Sequence, residues 1–108
     1  MSDIATVLAA FRATTGCEAA VWRSGSPAAP TVDAATPGAP APRAGKLPTP
    51  QDPAVDWTSP VGPVIIAGVP SPRPAWLAIG PCATPGTRPR DHLNLMLPVV
   101  AQYFQSTM

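Results

Sequence analysis

Charge is scarce in this chain: Asp, Glu, Lys and Arg make up 12% of its 108 residues, about half the usual share of ~25%. Lys46 is the single lysine and the net charge is +1. Without clustered Lys or Arg to displace counterions from phosphates, nucleic-acid binding is set aside. Histidine occurs once, at His92, which excludes a histidine-based metal cluster or proton relay. His92 is expected to be solvated in the first turn of a helix. The acids Asp3, Glu18, Asp33, Asp52, Asp56 and Asp91 are scattered and suggest no general acid–base site. GxxxxGK[ST] and GxGxxG are missing, so there is no phosphate cradle. Arg88 and Arg90 near a helix start could meet an anion, but solvated side chains are expected. No catalytic residue, metal ligand or cofactor is assigned, and the chain is expected not to be an enzyme.

Long apolar runs are missing too: nothing approaches the ~18 residues of a membrane span. The N-terminus carries Asp3 where an export signal would be positive. A cytoplasmic chain is therefore expected. Its two cysteines, Cys17 and Cys82, match no CxxC or zinc spacing. In that compartment they should be reduced, partly buried thiols. A Cys17–Cys82 disulfide and a ligand-attaching thiol are the alternatives.

What the chain has in quantity is apolar residues, at 45%, together with 17 prolines and eight glycines. This composition suggests folded apolar segments joined by stiff connections, within a single domain over residues 1–108. Ile4, Val7, Leu8 and Phe11 share one helical face, with Ser2 or Asp3 as cap and Gly16 as terminator, giving a helix over 3–15. Strands are expected at 17–23, 31–35, 54–58, 64–69 and 75–80, separated by Pro/Gly/Ser turns. Residues 36–53 lack periodicity and form a proline-rich loop, since each proline removes a backbone donor. A closing helix spans 88–106, capped by Thr87 and carrying Pro98 inside. Leu93, Met96, Leu97, Val100 and Phe104 form its main stripe, and Leu95, Val99 and Tyr103 a second apolar edge.

The strands at 64–69 and 75–80 are apolar on both faces, whereas an antiparallel sheet with a wet face would alternate. The two helices can cover one face. The proline-rich loop, a small ligand or a partner protein must cover the other, and the loop is favoured because long loops fold back over their domain. Trp22, Trp57 and Trp76 could line a pocket there, although tryptophans in a small sheet more often belong to the core. PxxP spacings begin at Pro27, Pro37, Pro50 and Pro60 and are read as linker, not as SH3-type ligands.

Locally, FRATTGCEAAVWR (Phe11–Arg23), PAWLAIGP (Pro74–Pro81) and LNLMLPVVAQYF (Leu93–Phe104) resemble the first and last elements of GAF domains, the sensor modules of bacterial signalling proteins. The resemblance covers about 40 residues and rests on structural residue types. It implies an α+β fold, GAF/PAS-like: a five-stranded antiparallel sheet, order 2-1-5-4-3, with both terminal helices on one face. It further implies a regulatory input domain of a signal-transduction protein. Such a domain would bind an unknown small ligand at Trp22, Trp57 and Trp76, form a homodimer through Leu95, Val99 and Tyr103, or both, and pass its state to an output domain. The segment over the pocket lacks the family's usual helices, and no cyclic-nucleotide or chromophore-attachment motif occurs. The competing reading is a structural protein-interaction module with no ligand, either a degenerate GAF domain or a roadblock- or longin-like scaffold.

Overall fold

The computed structural model describes residues 4–24, 30–42, 47–49, 51–70, 75–83 and 89–106. In chain order the elements are α1 (Ile4–Thr15), β1 (Cys17–Ser24), β2 (Pro30–Ala35), β3 (Val55–Ser59), β4 (Gly62–Gly68), β5 (Ala75–Cys82) and α2 (Pro89–Ser106). The strands form one antiparallel sheet of order β2-β1-β5-β4-β3, as expected. The proposed caps Ser2, Asp3 and Thr87, together with Arg88, lie outside the described residues, as do most of the turns at 25–29 and 71–74.

α1 forms because its apolar residues repeat at helical spacing: Ile4 and Leu8 are buried, and Val7 and Phe11 pack beside them. Full burial of a side chain such as Leu8 stabilises by roughly 1.5–3 kcal/mol. The helix stops at Gly16: its N–H still donates to the Arg12 carbonyl at 2.8 Å, and its φ of 75° then turns the chain out of the helix. The Thr15 hydroxyl ties the exit, donating to the Phe11 carbonyl and accepting from the Cys17 N–H.

Strand alternation sorts the sheet residues as their sequence pattern requires. Cys17, Ala19, Val21, Ile65, Ala67, Val69, Ala75, Leu77 and Ile79 face the helices, with Leu93, Met96 and Val100 of α2 above them. Ala20, Trp22, Val64, Ile66 and Ala78 form the opposite cluster. Boundaries shift most at the β3–β4 turn. Pairing continues to Ser59↔Gly62, leaving Pro60 and Val61 as the turn in place of the longer 59–63 connection read from the sequence. The Ser59 hydroxyl donates to the Gly62 carbonyl and accepts from the Val61 N–H. Gly62 has φ 136°, and a Cβ there would lie 2.8 Å from Pro81, so only glycine is accommodated. β5 likewise extends past residue 80, through a cis Gly80–Pro81 bond to Cys82.

The topology divides the molecule into two sequence-local halves. α1 packs on β1 and β2, whereas α2 packs on β5 and β4. The halves meet along the β1–β5 ladder, where Cys17 pairs with Cys82 at one end and Trp22 with Trp76 near the other. In the helical layer, Phe11 of α1 meets His92 of α2 edge-on at 5.4 Å. This corrects the solvated role expected for His92: the residue is half-buried and its Nε2 is enclosed.

The cysteine expectation is also overturned. Cys17 and Cys82 form a disulfide, with Cα atoms 3.9 Å apart. The physical reason is register: the strand order sets the first residue of β1 opposite the last of β5.

Candidate functional site

Beneath the sheet, the face away from the helices is closed by the chain itself. Ala39 and Leu47 of the proline-rich segment pack against the Ala20–Trp22–Val64–Ile66–Ala78 cluster, and Pro40 and Pro48 are buried. Of the loop expected over residues 36–53, the described parts thus cover the second apolar face, while residues 43–46 and 50 lie outside the described residues. Prolines suit this task because they bury apolar rings while presenting no N–H that would need a partner.

Trp22, Trp57 and Trp76 come together here. Trp22 is fully buried, and Trp57 meets it edge-on at 6.4 Å. The Trp76 Nε1–H donates to the Pro48 carbonyl at 2.8 Å and pins the segment to β5. Trp22 Nε1 is buried without a hydrogen-bond partner, a cost that a native core rarely carries. The three residues are therefore adjacent, as their reading as a pocket requires, but their surroundings are side chains of the same chain.

Where that segment leaves β2, Glu18 holds it. Its carboxylate accepts from Arg12 Nε at 2.6 Å, from the Thr36 hydroxyl at 2.8 Å and from the Gly38 N–H at 2.9 Å. Thr36 Oγ1 also accepts from the Ala19 N–H. A Cβ at Gly38 would lie 2.9 Å from the Glu18 carboxyl carbon, so glycine permits this approach. Burial raises the Glu18 carboxyl, but hydrogen bonds from Arg12, Thr36 and Gly38 and the charge of Arg12 outweigh it and hold it below its ordinary range. Glu18 thereby joins the end of α1 to the start of the covering segment. Sequence reading assigned it no role, because nothing local marks the partner 18 residues onward.

Other charged residues among those described bond to neighbours. Arg23 pairs with Asp33 at 3.4 Å, and Arg90 with Asp56 at 3.3 Å across exposed surface. Asp52 accepts from both the N–H and the hydroxyl of Thr49. Among the described residues no group of three or more His, Cys, Asp or Glu could hold a metal ion.

On the outer side of the helical layer, Leu95 is 72% exposed and Val99 42%. They are one turn apart on α2 and form an uncovered apolar row. Tyr103, expected to extend it, instead packs against the helix-side core. A separate open groove is lined by Pro70, Asn94, Leu97, Pro98 and Ala101. Pro98 has no N–H to give the Asn94 carbonyl, which is left without its helical donor. No described helix is long and apolar enough to cross a membrane. Comparison with protein-family models, with curated proteins and with solved structures finds no match.

Proposed function

We propose that this chain is a non-catalytic interaction domain of GAF-like design, working within a signal-transduction protein through its helical layer. The supporting observation is the contrast between its two surfaces. The sheet face that would carry a ligand is packed by Ala39, Leu47 and the three tryptophans, whereas Leu95 and Val99 are left uncovered on α2. Apolar side chains at i and i+4 on a helix suit a coiled-coil-like contact, and the occupant we assign is a second copy of the chain. A homodimer joined through α2 would pass a change in helix position to an attached output domain. The Cys17–Cys82 bond weighs against a strongly reducing compartment as the resting environment, so the cytoplasmic assignment holds only where the bond is protected or regulated.

The double variant Leu95→Glu, Val99→Glu tests the contact. Sedimentation should show self-association weakened at least ~10-fold, equivalent to about 1.4 kcal/mol. Unfolding midpoints should barely move, since both positions are at the surface. A wild-type chain that sediments as a monomer at its highest soluble concentration would remove the proposal.

A second reading is supported by the unpartnered Trp22 Nε1: a small ligand with a hydrogen-bond acceptor, admitted beneath the proline-rich segment. A metabolite panel screened by thermal shift should then contain a stabilising compound whose effect disappears in Trp22→Phe. A flat panel favours the ligand-free module.

A further inference from the structure

The Cys17–Cys82 bond crosses the seam between the two halves at a point where little else holds it. Register slips between Cys17 and Ala19, so the ladder is already irregular there. Beyond the bond, the Ala83 N–H to Gly16 carbonyl contact at 2.8 Å is the final backbone link described between the two strands. One residue before Cys17, Gly16 in its left-handed conformation ends α1. On the other side, Cys82 ends β5, from which the chain proceeds to α2. Cys17 is fully buried, whereas Cys82 keeps partial access to solvent.

We infer that this disulfide is a redox latch on the helical layer: its reduction releases α1 from the sheet while β1, β5 and β4 stay paired. The inference rests on the reading above that the helical layer is the working surface, and it names the control of that surface. The co-reactant is a dithiol. One of its thiolates attacks the accessible Cys82 sulfur, the S–S bond breaks, and Cys17 leaves as a thiolate that takes a proton. The dithiol's second sulfur then displaces Cys82 from the mixed disulfide. Two electrons and two protons pass to the protein, and the dithiol ends as its own disulfide. What remains on α1 includes the packing of Ile4, Val7, Leu8 and Phe11, the Phe11–His92 contact and the Arg12–Glu18 pair. Those contacts hold a single helix of 12 residues, the size of element that can open below the global unfolding free energy. The rest of the sheet keeps its own anchors, with Trp22, Trp57 and Trp76 at the far end of the seam.

The test compares the oxidised full chain with the same chain reduced by dithiothreitol, using hydrogen exchange read by mass spectrometry. Reduction should speed amide exchange in Ile4–Thr15 by about tenfold or more, and leave Gly62–Gly68 within about twofold. Cys82→Ser should behave as the reduced chain with or without reductant. Unchanged exchange in α1 after reduction makes the bond a passive staple and overturns the latch. Loss of protection across the whole sheet also overturns it, because the bond would then hold the fold. So does alkylation of both thiols in the untreated protein. Sedimentation of the same samples separates the two proposals. Release of α1 with no self-association in either redox state leaves the latch standing and ends the dimer reading. A dimer that is lost in the Leu95→Glu, Val99→Glu variant, with α1 still protected after reduction, does the reverse.

Discussion

Trp22→Ala should lower stability by ~3–5 kcal/mol, the range for deleting a buried large aromatic, and should be the most damaging single change in the covered sheet face. Trp22 is fully buried, shares a cluster with Ala20, Val64, Ile66 and Ala78, and touches Trp57 across the seam between the halves. Its removal empties a space beneath strands that cannot close up without breaking their ladder pairs. In a domain of this size the loss corresponds to a fall of roughly 15–30 °C in Tm. Trp22→Phe should be much milder. Because Nε1 bonds to nothing, phenylalanine gives up volume but no hydrogen bond, and the cost should stay below ~2 kcal/mol. Urea denaturation of the two variants checks both. An alanine variant within ~1 kcal/mol of wild type would mean that the segment does not press on this face.

Glu18→Ala should cost ~1–3 kcal/mol near neutral pH, because the buried Thr36 hydroxyl and the more exposed Gly38 N–H lose a charged acceptor. Arg12 is half exposed, so its lost ion pair adds little. The pH dependence follows from the lowered Glu18 carboxyl. A group whose folded value is depressed contributes fully above its unfolded value, roughly 4.3 for glutamate. That contribution is lost as pH falls through the lower folded value. Wild type should therefore lose stability below about pH 4.3 more steeply than Glu18→Gln, which has no proton to take up. Thermal melts at neutral and acidic pH measure the difference, and parallel curves would show that the carboxylate charge is not what holds the segment.

Much of this was legible in the residues. The alternation of Ile65, Ala67 and Val69 against Val64 and Ile66 places two apolar faces on one strand, and both faces are covered. The 4-7-8-11 spacing marks α1, and Gly16 its end. Periodicity is a local signal, however, and the site depends on pairs distant in sequence. The strand order 2-1-5-4-3 already sets β1 beside β5, and antiparallel pairing then brings the first residue of one to the last of the other. Carried one step further, that order joins Cys17 to Cys82; the expected compartment argued the other way. His92 reads as solvated because its own turn is polar, but Phe11 crosses from α1 to meet its ring. Tyr103 reads as outward from helix periodicity, but it reaches back to the core. For Glu18, neither spacing nor periodicity points to Thr36 and Gly38, since the contact arises where the covering segment begins.

The split into halves also bears on how the chain reaches its native state. Within each half the hairpins join near neighbours, so they require little loop closure and can assemble early. The β1–β5 pairing brings together segments separated by about half of the chain, from Ala19↔Ile79 to Arg23↔Ala75. Closing that interval is the costly entropic event. The rate of folding should accordingly be governed by when the middle of the sheet zips, with the outer strands already in place.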